Sequence, residues 1–221
     1  NADIVDIAIK PLGLNDIETF SPKEKIIDYT ITNNSKSFKD NTISELLDNV
    51  SRNTPTPGGG SVSALAAALG ASLSAMVANL SINKKDIIDN YDKITSVSEN
   101  CQNYKDIFLE LVDKDSESYD NVIDAIRLPK KNPDDIKNRS NKILLATIGA
   151  AEVPLSILEK SIPLMKQTLI ISECGNKNSI TDVGVGAHLI KTAAYGAALN
   201  VLINLKSLDD KLSNKFEKKV D

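Results

Sequence analysis

Residues 54–80 open as Thr54-Pro55-Thr56-Pro57-Gly58-Gly59-Gly60-Ser61 and continue as an Ala, Ser and Leu run, with no charged residue from 62 to 82. The two prolines keep the residues before them extended. Three consecutive glycines then admit dihedrals closed to other residues, or let the backbone approach something closely. Ser61 is placed to cap a helix by accepting a hydrogen bond from a first-turn N–H. Ala64, Ala68, Ala71, Ala75 and Ala78 step by four, three, four and three, which is one narrow face of a helix. Methyl groups alone on that face let a second helix come unusually close. A glycine turn leading into a bare helix N-terminus also suits an anion, because unpaired N–H groups and the dipole point the same way. The plainer alternative is a glycine turn ahead of a core helix.

The totals fit a helical reading. Of 221 residues, 41% are hydrophobic but only 4% aromatic, and Trp is absent. Leu, Ile and Ala must build the core, which favours helices over a sandwich. Thr42-Ile43-Ser44-Glu45 is a capping box, with Ile43, Leu46, Leu47 and Val50 on one face of the helix it opens. The central helix is expected over about 61–80. A polar junction at Asn83-Lys84-Lys85-Asp86 leads to a long helix, roughly 87–128 and about 60 Å in length. Asn132-Pro133-Asp134-Asp135 restarts a helix that reaches about 171, with Pro154 and Pro163 expected to kink or divide it. Gly175-Asn176 stops it. A helix over about 180–205 carries Gly184, Gly186, Ala193, Gly196 and Ala197, small residues suited to the Ala face of the central helix. A last polar helix, about 208–219, is expected to fray. With no strand-like alternation and no repeat, the fold class is all-α, a bundle of long, mostly up-and-down helices.

Residues 40–221 form the expected helical domain. Residues 1–39 read as an N-terminal arm or linker, with a capping box at Ser21-Pro22-Lys23-Glu24 and a short helix to about 31. The opening carries no secretory signal, and Asn1 in place of Met is expected for a trimmed chain or a segment of a longer one. The charge-free stretch 62–82 is long enough to cross a bilayer. Ser63, Ser72, Ser74, Asn79 and Ser81, scattered around it, favour a buried helix of a soluble bundle instead.

The inventory of reactive groups is short. Cys101 and Cys174 are the only cysteines and His188 the only histidine. Two cysteines make no disulfide framework, so a reduced cytoplasmic setting is expected. A zinc deaminase site needs several His or Cys ligands around one metal. This inventory lacks the number and the spacing, so no metal is expected. The net charge of -4 argues against a general nucleic-acid binder. His188 reads as a partly buried helix residue rather than a catalyst.

One carboxylate stands out. On the long helix Phe108, Leu111, Asp115, Ser118, Val122 and Ala125 step by three, four, three, four and three. Asp115 therefore falls on an apolar stripe. A carboxylate there is costly unless paired, hydrogen-bonded or protonated. Burial raises its pKa and makes it an available acid near neutral pH. Alternatively it is bonded to a neighbouring helix terminus or a Lys.

The Thr-Pro-Thr-Pro-Gly-Gly-Gly-Ser opening and its Ala-rich helix resemble the start of the formiminotetrahydrofolate cyclodeaminase family. Leu111-Val112-Asp113-Lys114-Asp115 resembles that family's Leu-Val-Asp-x-Asp motif, Leu128-Pro129-Lys130 its Leu-Pro-Lys, and Val153-Pro154-Leu155 its Val-Pro-Leu. Gly175-Asn176, Thr181-Asp182 and the run from Asn200 to Leu205 continue the order. The Gly that precedes the two basic residues in many relatives is missing before Lys84. Residues 1–39 resemble the tail of a formiminotransferase domain, through Leu12-Gly13-Leu14 and Pro22-Lys23-Glu24-Lys25.

The resemblance implies a cofactor-free cyclodeaminase of one-carbon and histidine-degrading metabolism, making 5,10-methenyltetrahydrofolate and ammonia, with Asp115 as its acid–base residue. A methenyltetrahydrofolate cyclohydrolase at the same site, or a folate-binding or dimerisation module without turnover, are the alternatives. Gly58, Gly59, Gly60 and Ser61 are expected at the substrate. Lys84, Lys85 and Lys130 are candidates for the glutamate carboxylates of a polyglutamylated folate. Asn176 and Asp182 either bond the pterin or cap the following helix. Asn200 and Asn204, one turn apart, read as helix–helix register residues. A formiminotransferase partner and a homodimer or larger homo-oligomer are expected, the latter from the small-residue helix faces.

Overall fold

The computed structural model describes residues 37–82 and 89–220. The helix expected over 21–31 and the Lys84-Lys85 turn lie outside the described residues. Among the described residues there are six α-helices and no strand: α1 (Ile43–Val50), α2 (Gly59–Ile82), α3 (Tyr91–Arg127), α4 (Pro133–Cys174), α5 (Ile180–Leu205) and α6 (Asp210–Val220). The all-α expectation holds. The chain divides into two units, Asn1–Pro55 and Thr56–Asp221. The division falls after α1, later than the 39/40 boundary read from the sequence.

In the first unit the capping box forms as expected. Thr42 Oγ1 accepts from the Glu45 N–H at 3.2 Å, and Glu45 Oε2 accepts from the Thr42 N–H at 2.8 Å. These two bonds satisfy donors that the start of α1 would otherwise leave open.

In the second unit α2, α3, α4 and α5 form a closed antiparallel ring. α2 packs on α3 and α5, and α4 completes the ring between them. The direction follows from the pairings: Ser61 at the start of α2 meets Asp115 late in α3, whereas Ser98 Oγ early in α3 donates to Asn79 Oδ1 near the end of α2 at 2.7 Å. The five alanines of the narrow α2 face are all buried. Their bareness is used as expected, since α2 and α5 approach so closely that side chains do not fit at the crossing. A Cβ at Gly70 would stand 2.6 Å from Ile190 Cγ1 and 2.8 Å from the Gly186 carbonyl, and one at Gly196 would overlap Ser63 Oγ.

α3 begins at Tyr91, later than expected, and its 37 residues span about 55 Å. α4 is not divided at its prolines: it runs as one helix through Pro154 and Pro163. Pro154 has no N–H to give the carbonyl four residues back. That carbonyl, of Ala150, accepts instead from Asn204 Nδ2 of α5 at 2.7 Å. Asn204 is thus a register residue with a definite duty. α6 does not stand free. Phe216 packs with Ala151, Leu155, Val201 and Leu205, and Lys219 pairs with Glu159 at 3.1 Å.

Among the described residues two helices are long and apolar enough to cross a membrane by length and composition, α2 and α4. In α2, 61% of the most apolar window is buried inside the bundle, the place of a core helix.

Candidate active site

Asp115 faces the first turn of α2. Ser61 Oγ donates to Asp115 Oδ2 at 2.9 Å, and Ser61 itself is buried. Behind it, Ser116 Oγ stands 3.2 Å from Ser61 Oγ and is also buried. Ser118 Oγ donates to the Asp115 backbone carbonyl at 2.7 Å. The carboxyl lies so close to α2 that a Cβ at Gly60 would overlap it, 2.5 Å from Cγ. Here the glycine run serves close approach.

Ser61 corrects the capping expectation. α2 starts at Gly59, with Val62 N–H bonded to the Gly58 carbonyl at 3.0 Å, so Ser61 lies inside the helix rather than before it. Its hydroxyl is turned outward across the helix pair as a donor. The anion at this helix N-terminus is the protein's own carboxyl. That is the geometry of the plainer alternative, a carboxylate bonded to a neighbouring helix terminus. A carboxylate held only by such bonds titrates low. Asp115 does not: burial pushes its carboxyl above the usual value, outweighing the opposing pull of the Ser61 side chain and backbone. Raised in this way, the carboxyl is a weaker acid than a free aspartate, the direction that suits a proton carrier.

The surroundings are uncharged on the α2 side. Residues 56–63 contain no titratable side chain. α5 contributes Asn200, whose Nδ2 donates to the Gly196 carbonyl at 2.8 Å and would lie 3.2 Å from a Cβ at Gly59. On its other flank α3 forms a cleft of about 860 Å³ with α4, lined by Leu111, Ser118 and Ala125 from α3 and by Leu145, Gly149 and Val153 from α4. The Asp115 side chain does not line it.

The other sequence candidates lie elsewhere. Asn176 binds the far end of α2, its N–H donating to Ser81 Oγ at 2.8 Å, while its side chain accepts from the Asn178 N–H at 3.1 Å. It caps the short turn 177–179 that precedes α5, whereas the N-cap of α5 itself is Ser179. Ser81 is about 30 Å along α2 from Gly60. Asp182 lies in the first turn of α5, about 27 Å along that helix from Asn200. Lys130 is exposed between α3 and α4. Within one protomer the structure therefore gathers Gly59, Gly60, Ser61 and Asp115, and leaves Asn176, Asp182 and Lys130 apart. It adds Ser116 and Asn200. Ser116 continues the buried line of Phe108 and Val112 at intervals of four, where a hydroxyl needs a partner.

Cys101 is buried, and that burial pushes its thiol up to about 12, so it is no nucleophile. His188 is exposed rather than partly buried, because it lies on the outward face of α5. No group of three or more His, Cys, Asp or Glu among the described residues could hold a metal ion.

The comparisons with known proteins agree with one another. The family described as Formiminotransferase-cyclodeaminase matches residues 42–221. Formimidoyltransferase-cyclodeaminase of Mus musculus is 30% identical over 212 residues, which is 93% of this chain and 38% of that protein. The chain thus spans well under half the length of that relative. Methenyltetrahydrofolate cyclohydrolase of Methylorubrum extorquens is 35% identical over 170 residues, 77% of this chain and 82% of that protein. Among solved structures, formiminotetrahydrofolate cyclodeaminase of Thermotoga maritima superposes with a TM-score of 0.73 at 27% identity, covering 81% of this chain and 86% of that one. On this match over most of its length, the chain belongs to the formiminotransferase-cyclodeaminase family.

Proposed function

We propose that the protein is a formiminotetrahydrofolate cyclodeaminase, an ammonia-lyase that closes 5-formiminotetrahydrofolate to 5,10-methenyltetrahydrofolate. The observation that carries this is the Asp115 carboxyl, half-buried against Gly60 and Ser61, with its pKa raised by that burial. The substrate holds both reacting centres, so no water has to be activated. The formimino group enters as its cation, –CH=NH2+; the folate nitrogen at position ten attacks its carbon, Asp115 gives its proton to the departing NH2, and ammonia leaves. The resulting carboxylate faces the cationic product and recovers a proton from the nitrogen that attacked. Protons balance, and the chain itself needs no metal or cofactor for the step.

The Gly58–Ser61 turn borders the reacting end of the folate in this reading. Lys130, and Lys84 with Lys85, serve the glutamate carboxylates of a polyglutamylated substrate. The setting is cytoplasmic, in one-carbon metabolism and histidine degradation, with a formiminotransferase domain or partner supplying the formimino group. A homodimer is the expected assembly.

A second reading is methenyltetrahydrofolate cyclohydrolase at the same site. It is favoured by the Methylorubrum extorquens relative, of which this chain covers 82% at 35% identity. Purified protein incubated with each folate, followed by the methenyl absorbance, separates the two. The absorbance grows on formiminotetrahydrofolate for a cyclodeaminase and decays on methenyltetrahydrofolate for a cyclohydrolase. Folate binding with neither change leaves a binding module.

A further inference from the structure

We infer that Ser116 is a positioning residue for Asp115, acting through Ser61. The inference rests on the reading of Asp115 as the proton carrier. Three groups on two helices make one chain: Ser116 Oγ lies 3.2 Å from Ser61 Oγ, and Ser61 Oγ lies 2.9 Å from Asp115 Oδ2. A hydroxyl has one proton to give. With Ser61 giving its proton to the carboxylate, the Ser61–Ser116 contact is a hydrogen bond only if Ser116 donates. Ser116 thereby fixes the rotation of the Ser61 hydroxyl and, through it, the Asp115 carboxyl. Both serines are almost fully buried, at 1% and 5% exposure, so water does not substitute for either. Gly60 bounds the carboxyl on the α2 side, since a Cβ there would displace it.

The chain also serves the other protonation state. When Asp115 carries a proton on Oδ2, it can donate to Ser61, and Ser61 can turn to donate to Ser116. No bond to carbon forms or breaks, and the two hydroxyls only rotate. A buried acid that must exist in both forms during turnover needs such a reversible partner. The groups around it leave this role to the serines. The start of α2 has no titratable side chain, and α5 offers the neutral Asn200. The charged neighbours on α3 are Asp113, Lys114 and Glu117, and Lys114 is paired with Glu110 at 3.2 Å. On α4, Lys142 and Glu152 line the separate cleft.

The test compares Ser116→Ala, Ser61→Ala and the double variant on formiminotetrahydrofolate, with kcat and KM measured across pH. Removing a donor that favours the carboxylate raises the pKa of Asp115. The limb on which activity falls with rising pH should therefore move to higher pH in each variant. Ser116→Ala should lower kcat about 10-fold with KM within about twofold, and Ser61→Ala more. Because Ser116 acts through Ser61, the double variant should match Ser61→Ala alone. Multiplying losses, or a kcat loss with an unmoved limb, overturns the inference. If Ser116→Ala does not fold, Ser116→Cys is read in its place, since its thiol is a weak donor. Carbon-13 NMR titration of the Asp115 carboxyl gives the same answer without turnover: an unchanged midpoint in Ser116→Ala sinks the inference. Parent protein that turns over neither folate counts against the functional reading alone.

Discussion

Asn204 of α5 donates its side-chain N–H to the Ala150 carbonyl of α4 at 2.7 Å, and Ala150 is the residue whose helical partner Pro154 removes. A proline inside a helix and an asparagine on its neighbour are thus one feature. The helix continues because a side chain supplies the bond that the backbone cannot. Asn204→Ala should leave that carbonyl open at a cost of about 1–3 kcal/mol. Pro154→Ala restores an N–H to the same carbonyl. Made on top of Asn204→Ala it should recover most of the loss, read as the urea midpoint of each variant. Simple addition of two losses would show that the bond and the proline are unrelated.

That pair also shows what a sequence yields and what it withholds. Pro154 and Asn204 could each be read alone, the first as a helix breaker and the second as a register residue. Only the packing of α4 on α5 shows that the second compensates for the first. The helices were legible because their caps and periods are local: Thr42 with Glu45, Asn132 with Pro133, the five alanines of α2. Asp115 was legible from its stripe. Ser116 was not, because a single serine among apolar positions has many uses, and its partner Ser61 is 55 residues away. The direction in which Ser61 points was misread for the same reason. A cap is a local expectation, and a carboxyl arriving from another helix overrode it.

The α2–α5 crossing is a test of close packing. A methyl group at Gly70 has the Gly186 carbonyl 2.8 Å away, and backbone cannot step aside cheaply. Gly70→Ala should cost about 1–3 kcal/mol through overpacking, despite the better helix propensity of alanine. At Gly184, on the same α5, nothing lies within 4 Å of the added carbon. Gly184→Ala should gain up to about 1 kcal/mol. Thermal unfolding of the two variants beside the parent decides it, and similar shifts would mean the helices are not in contact there.

The small-residue faces suggested self-association, but α2 and α5 spend them on each other. What remains outside is larger. Leu69 of α2 is 49% exposed, and Tyr195 and Leu199 of α5 are 65% and 68% exposed. Exposed apolar side chains of that kind would suit the homodimer proposed above. If a second copy covers it, Leu199→Glu should convert the dimer to a monomer in sedimentation velocity without changing the helical circular dichroism. A parent protein that sediments as a monomer throughout the micromolar range removes the proposal.

Burial of Asp115 has a consequence for stability. Its folded-state pKa lies above the ordinary value, so the folded chain holds that proton more tightly than the unfolded chain does. The contribution is fully present below about pH 4, the pKa of an unfolded Asp. It is lost as pH rises through the folded-state pKa, and above that the ionised carboxylate weighs against the fold. Asp115→Asn has no such dependence and keeps an acceptor for Ser61. Relative to the parent, its Tm should gain steadily from about pH 4 upward and then level off, the plateau marking the folded pKa of Asp115. A difference that stays flat over the whole range would show that the carboxyl is not raised.

The same substitution should be costly to turnover. Asp115→Asn keeps the size of the side chain and much of its hydrogen bonding but cannot carry a proton. Folate binding should survive while kcat falls by about 100-fold or more, the usual scale for a general acid. Asp113→Asn, two positions away on the helix, should cost much less. Gly60→Ala gives an independent check that leaves every titratable group in place. Its methyl must push the carboxyl away from Ser61, so kcat should fall by at least about 10-fold while unfolding shifts little. Loss in Asp115→Asn together with loss in Gly60→Ala places the proton carrier where α2 and α3 meet. If Asp115→Asn turns over near the parent rate while folded and folate-bound, Asp115 is only a tether between two helices, and Asp182 is the next residue to change.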